Sequence, residues 1–195
     1  KKPLVSYYEH NLREKGELIL GRILAGENCA VVSDAGMPCI SDPGEDLVRL
    51  AADAGVETIV IPGPNAAISA LCVSGLSTSR FSFEGFLSTN RKNRLEHLEQ
   101  IKNDPHTLIF YEAPHKLLTT LQDLLNVLGD RRAALARELT KVHEEVVRTT
   151  LSEAVARYTE QSPKGEFVLG LEGARPQETS AFTLEDAVFL ARQLS

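Results

Sequence analysis

The sequence predicts an α/β chain in two parts, a parallel-sheet N-terminal domain followed by a mixed-sheet C-terminal domain. Three observations lead there. Up to Gly75, short apolar runs alternate with helical patterns at the spacing of strand–helix–strand crossovers. Beyond it, two strand-like runs at 133–137 and 145–150 follow each other with no helix between them, which points to a mixed sheet. The 195 residues are 43% hydrophobic, enough to bury a sizeable core and too many for a disordered tail.

The elements follow in order. Asn11 and Glu14 have the spacing of a capping box, and Leu12, Ile19, Ile23 and Leu24 recur on one helical face that Gly26 closes. Cys29-Ala30-Val31-Val32-Ser33 reads as a buried strand, and 34–43 is rich in turn residues. A helix over 45–54 ends at Gly55, and Val56 to Ile61 reads as a second strand. Pro62-Gly63-Pro64 then opens an apolar helix over 65–75. In the second part, 81–84 is a short strand, 90–102 a charged helix and 107–111 a strong strand. Pro114 marks the first turn of a helix reaching about Leu128. Strands at 133–136 and 145–150, a helix near 152–159 and a last strand at 166–171 complete the pattern. The domains are expected at 1–78 and 79–178, with 179–195 a linker into a helix that the sequence end cuts short.

Composition removes several classes of function. No run of about 18 uncharged apolar residues is present to span a membrane. A net charge of −6 argues against coating nucleic acid through bulk charge. Three cysteines without a C-x-x-C pair favour a reducing, cytoplasmic setting, and Cys29 and Cys72 are expected as small buried hydrophobes. The five histidines are dispersed, so no metal site is expected. Dinucleotide, P-loop, zincin and α/β-hydrolase motifs are absent.

In an open α/β sheet, ligands bind beyond the carboxyl ends of the strands. The loop Ser33-Asp34-Ala35-Gly36 onward to Gly44 is long for a βα connection, and its glycines let backbone approach a ligand. Asp34 can accept from an ammonium or hydroxyl, whereas Asp42 before Pro43 reads as a turn cap. Gly63-Pro64-Asn65-Ala66-Ala67 offers backbone N–H groups to an anion at a helix N-terminus. Tyr111-Glu112-Ala113-Pro114-His115-Lys116 and Ala136-Arg137-Glu138-Leu139-Thr140-Lys141 gather unlike charges at two further strand ends. Phe110 fits a core position as well as a ligand contact. The basic stretches Asn90–Arg94 and Arg131-Arg132 suit solvated faces or, more sharply, contact with a polyanion.

The ordered motifs VSDAGMPCISDPG, IPGPNAAISAL, FEGFL, LIFYEAPHKL, LARELTKVHEE and GEFVLGLEG resemble the tetrapyrrole (precorrin-like) methylase superfamily, over about 3–173. Within it they are similar to the branch of 16S rRNA cytidine 2′-O-ribose methyltransferases. Ser33-Asp34-Ala35-Gly36 stands where tetrapyrrole enzymes carry G-D-P-x-x-Y. The resemblance implies a two-domain tetrapyrrole-methylase-like fold with S-adenosyl-L-methionine in the cleft between the domains. Ser33, Asp34, Ala35 and Gly36 would line its methionine side, and Gly63, Pro64, Asn65, Ala66 and Ala67 its carboxylate. Phe110, Tyr111, Ala136, Glu166 and Phe167 would meet the adenosine. The implied partners are 16S rRNA in the small ribosomal subunit and a second copy in a homodimer.

Attack of a ribose 2′-oxygen on a sulfonium methyl needs alignment, and its weakly acidic hydroxyl gains from a base or a cation. Glu138 is the candidate base or orienter, with Arg137 and Lys141 near the phosphate or oxyanion. Two rivals stand beside this: a C-methyltransferase of tetrapyrrole precursors, and a non-catalytic S-adenosylmethionine-binding module. Family members also carry a Pro-x-Gly-Asn-Leu strand and a Glu-Asp-Thr-Arg segment that would precede Lys1, so the chain, which opens without Met, is expected to be a piece of something longer.

Overall fold

The structure is a computed structural model and describes residues 3–8 and 11–175. Three helices come first: α1 (Leu12–Leu24), α2 (Glu45–Asp53) and α3 (Ala66–Ser74). The second half carries β1 (Phe81–Phe86), α4 (Arg91–Ile101), β2 (Thr107–Glu112), α5 (Leu117–Leu128), β3 (Arg132–Arg137), β4 (Glu145–Thr150), α6 (Leu151–Glu160) and β5 (Phe167–Leu171). The expected linker and helix after Thr179 lie outside the described residues.

The five strands form one mixed sheet in the order β1-β2-β5-β3-β4. Only β1 and β2 pair in parallel; β2–β5, β5–β3 and β3–β4 are antiparallel. Register places Glu112, Phe167 and Arg137 side by side. The carboxyl ends of β1, β2 and β3 therefore share one edge of the sheet. The α/β class and the mixed sheet agree with the sequence pattern.

Strand alternation sorts the two faces. Leu108, Phe110, Leu135, Phe167, Leu169 and Leu171 point to a core shared with Leu98, Leu117, Leu121, Leu124 and Leu151 of the helices. Ile109, Ala136 and Val168 point the other way, against Ala67, Ala70 and Leu71 of α3. Thus α3, grouped by sequence with the first part, packs on the sheet of the second.

Two helices open on side-chain caps. Asn90 accepts from the amides of Lys92 and Asn93 at the start of α4. Thr150 and Glu153 form a reciprocal capping box at α6. The capping box expected at Asn11 is not formed; its Oδ1 accepts from the Tyr8 amide instead. Pro114 sits in a short 3-10 turn, Pro114–Lys116, ahead of α5 rather than in its first turn.

The larger correction concerns 29–33 and 56–61. Both are extended but neither joins a ladder, and the parallel sheet expected of the first part is absent among the described residues. Val32, Ile59 and Ile61 are 78%, 75% and 80% exposed. An apolar β-prone run becomes a strand only when a neighbour pairs its backbone groups. Cys29, on the first of these runs, is exposed rather than buried. Cys72 is exposed too, because α3 turns Ala67, Ala70, Leu71 and Ser74 to the sheet instead.

Candidate cofactor cleft

The cleft is built from the start of α3. Asn65 caps it in extended backbone, its Oδ1 accepting from the Ile68 amide at 3.0 Å. The Ala67 amide donates to the Tyr111 hydroxyl at 3.2 Å. Two of the orphan donors at this terminus are therefore spent within the protein. The amides of Asn65 and Ala66 have no acceptor among the described residues. The anion site read from Gly63–Ala67 thus narrows to two donors beside small side chains.

Tyr111 is half-buried at the end of β2, edge-on to Phe83 and Phe86 at 5.0 and 5.5 Å between ring centres. A bulge between Phe83 and Gly85 brings both phenylalanines to the same ring; Gly85, at φ 62°, takes the backbone turn that makes this possible. Burial pushes the Tyr111 phenol up, the Ala67 amide opposes this, and the charge of Asp42 adds to the rise. The 33–44 loop lies beside β1, with Ser41 Oγ 3.6 Å from where a Gly85 β-carbon would stand. At its other end, the open side of Gly36 faces the Pro64 carbonyl at 3.7 Å. The two loops singled out by sequence therefore meet at Gly36 and Pro64, and the second reaches Tyr111 through Ala67. Ser33 is half-buried, its Oγ donating to the Ala35 carbonyl at 3.0 Å. Cys39 carries a thiol raised first by burial and then by Asp42, Asp46 and Glu45, so it is no ready nucleophile.

The third group lies at the end of β3. Glu138 adopts a left-handed conformation, φ 51°, and its Oε1 accepts from the Glu166 amide at 2.9 Å and from Lys141 Nζ at 3.0 Å. Lys141 also meets Glu166 Oε2 at 3.0 Å. The Glu166 amide first, then Lys141, hold the Glu138 carboxyl below its usual range. Lys141 is raised, by Glu138 and then Glu166. Arg137 Nε stands 3.3 Å from Glu145 Oε2, an ion pair without hydrogen-bond alignment, and Arg157 binds Glu145 at 2.8 Å. These residues form two ionic clusters at the sheet edge, Glu138–Lys141–Glu166 and Arg137–Glu145–Arg157.

Two of the expected adenosine contacts are corrected. Phe110 and Phe167 are 0% and 2% exposed in the core under α4, α5 and α6, facing away from α3. Alternation along β2 and β5 decides this, and leaves only their backbones to the cleft. Ala136 is buried against the α3 side with Ala67, and Glu166 lies at the head of β5 with its carboxylate exposed. Tyr7 lies away from the cleft elements and donates to Asp46 of α2, beside Gly16 of α1. Phe83 and Phe86 were missed; the phenylalanine spacing around Gly85 in Phe81–Phe86 was the available signal.

Known proteins share the sequence and the fold of this chain. Residues 1–155 match the family model described as Tetrapyrrole (Corrin/Porphyrin) Methylases. Proteins named Ribosomal RNA small subunit methyltransferase I are similar along most of the chain. The one from Synechocystis is 49% identical over 94% of this chain and 66% of its own length. Those from Bacillus subtilis and Thermotoga maritima are 46% and 44% identical, covering 90% and 89% of this chain and 60% and 78% of theirs. The chain thus spans less than two thirds of the length of several of these relatives. Among solved structures, the methyltransferase CobJ superposes with a TM-score of 0.62 at 18% identity, covering 83% of this chain and 71% of that one. Uroporphyrin-III C-methyl transferase from Thermus thermophilus, complexed with S-adenyl homocysteine, gives 0.58 at 19% identity over 84% and 74%. At such identities the likeness speaks for the fold. On the family match and the identity to its relatives, the chain belongs to the tetrapyrrole methylase family, in the branch shared with the small subunit rRNA methyltransferase I proteins.

Proposed function

We propose that the protein is an S-adenosyl-L-methionine-dependent methyltransferase acting on the ribose 2′-oxygen of a cytidine in 16S rRNA. The observation that carries this reading is the meeting of the 33–36 and 63–67 loops at Gly36 and Pro64, with Ala67 of the second bonded to Tyr111 on the edge where β1, β2 and β3 end. The names of the relatives supply the substrate class.

The residues present fit the cofactor. The unspent amides of Asn65 and Ala66 suit its carboxylate, and Gly36 and Gly63 leave room for backbone contact. Tyr111, accepting from Ala67, keeps its own O–H for a ligand. Bound there, the cofactor would supply an electrophilic methyl on a sulfonium whose sulfur leaves as a neutral thioether and needs no proton. Glu138, with its carboxyl held low and engaged by two donors, is a poor base and serves as the orienter of Lys141. Lys141 and Arg137 place positive charge where a phosphate or developing oxyanion is stabilised.

The domain division at 1–78 and 79–178, and assembly as a homodimer, belong to the same reading. Among the described residues, no helix is long and apolar enough to cross a membrane.

The test is transfer of a tritiated methyl group from S-adenosylmethionine to small ribosomal subunits from cells lacking the gene, with the product located by mass spectrometry. A 2′-O-methylcytidine in 16S rRNA is expected. Calorimetric binding of the cofactor without any transfer would reduce the protein to a binding module, and transfer to a porphyrin precursor alone would select the tetrapyrrole reading.

A further inference from the structure

A second cleft lies on the same sheet edge, on the opposite face from Tyr111. Its volume is about 170 Å³, and it opens beyond the carboxyl ends of the parallel strands β1 and β2. Arg94, 7% exposed, forms its wall. The guanidinium is held by Asp123 at 2.7 Å and by the Ser88 carbonyl at 2.9 Å. Arg91 reaches the other oxygen of Asp123 at 3.5 Å with its side chain 68% exposed, so one carboxylate is shared between two guanidinium groups. Glu112, also in the wall, is 3% exposed and accepts from the Ala113 amide and the Thr120 hydroxyl. Both carboxylates are thus engaged inside the protein.

The mouth is different. The side chains of His115 and Lys116 line it and make no hydrogen bond or ion pair among the described residues. The hydroxyls of Ser88 and Thr119 line it as well. A cluster of donors with a surplus of positive charge, in a chain of net charge −6, suits an anion with several acceptor oxygens. Successive residues carry the backbone from one cleft to the other: Phe86 and Tyr111 face the first, while Leu87 and Glu112 line the second. A polymer with a charged group at every unit can occupy both at once, which a free phosphate cannot.

We propose that this cleft, with His115 and Lys116 at its mouth and Arg91 joined to its wall through Asp123, seats a backbone phosphate of the substrate RNA while an adjoining nucleotide reaches the cofactor cleft. The inference rests on the methyltransferase reading above. It gives an acidic protein a local means of holding RNA, through a few positioned phosphate contacts rather than bulk charge.

The test compares Lys116→Glu and Arg91→Gln with the wild type in the full-length protein, using unmethylated small ribosomal subunits as the probe. Lys102→Glu is the control. It makes the same charge change just past the far end of α4, where Lys102 pairs with Glu99 outside the cleft. Lys116→Glu is expected to weaken subunit binding about tenfold and to flatten its dependence on log salt by about 0.7. S-adenosylmethionine affinity by calorimetry stays at the wild-type value. Arg91→Gln moves the same way by less, and Lys102→Glu leaves binding unchanged. Equal losses in Lys116→Glu and Lys102→Glu would mean diffuse charge and overturn the cleft, as would wild-type binding by Lys116→Glu. If wild-type protein takes up the cofactor but binds no subunit, the rRNA reading and this inference fall together. If it binds and methylates the subunit whatever residue 116 is, only the inference falls.

Discussion

The hydroxyl of Tyr111 accepts the backbone amide of Ala67 at 3.2 Å, across 44 positions of sequence. This one bond joins the start of α3 to the end of β2, and so sets the spacing between the two halves of the cofactor cleft. It also satisfies a helix-terminal donor that would otherwise be left without a partner in a half-buried place.

Tyr111→Phe keeps the ring against Phe83 and Phe86 and removes only the acceptor. A loss of about 1 kcal/mol in urea denaturation is expected, together with weaker S-adenosylmethionine binding by calorimetry. Wild-type values in both would show that packing alone holds α3 in place.

Glu138 gives a pH signature. Its folded carboxyl titrates below the ordinary 4.5, so it contributes stability that is present above that value and is lost as pH falls through the lowered one. Glu138→Gln should therefore melt below the wild type near neutral pH. The gap should close as the medium is acidified through the carboxylate range. A gap that stays constant with pH would remove the charge from the explanation.

Gly165 stands against this same carboxylate at φ +81°, and a β-carbon there would lie 2.7 Å from Glu138 Cδ. Gly165→Ala meets both an unfavourable backbone conformation and a collision. Thermal unfolding should report a loss of more than about 1 kcal/mol. The acid dependence assigned to Glu138 should fade with it, since the side chain must leave the Glu166 amide.

The Arg94–Asp123 pair, with side chains 8% and 5% exposed, ties α4 to α5. Asp123→Ala leaves a buried guanidinium without its counter-charge and should cost about 3–5 kcal/mol in urea denaturation. The double change Arg94→Met with Asp123→Leu should recover much of that. A double variant no more stable than the single one would mean that the pair's hydrogen bonds, and not the stranded charge, set the cost.

Local chemistry made much of the second half legible. The helix read as opening at Asn90 does open there, because a side-chain oxygen at the cap is a short-range device; the Thr150 box at α6 carries the same signal but falls where the sequence reads as strand. The run Thr107–Glu112 reads as a strand because it is apolar enough to be covered on both faces, and β1 and β5 supply the backbone partners that make it one. The loops that converge on the cleft could be named because ligand sites gather at strand ends.

By itself, the sequence determined the family motifs, the order of helices and the strands that find partners within the second half. Tertiary structure alone decided whether 29–33 and 56–61 join a sheet, because a ladder needs a second backbone that no local pattern supplies. It decided that Tyr111 faces the cofactor cleft while Phe110 is sealed in the core, a difference of one residue in a period of two. It also turned Glu138 from a candidate base into an anchored carboxylate, because the Glu166 amide that holds it comes from a strand 28 positions away.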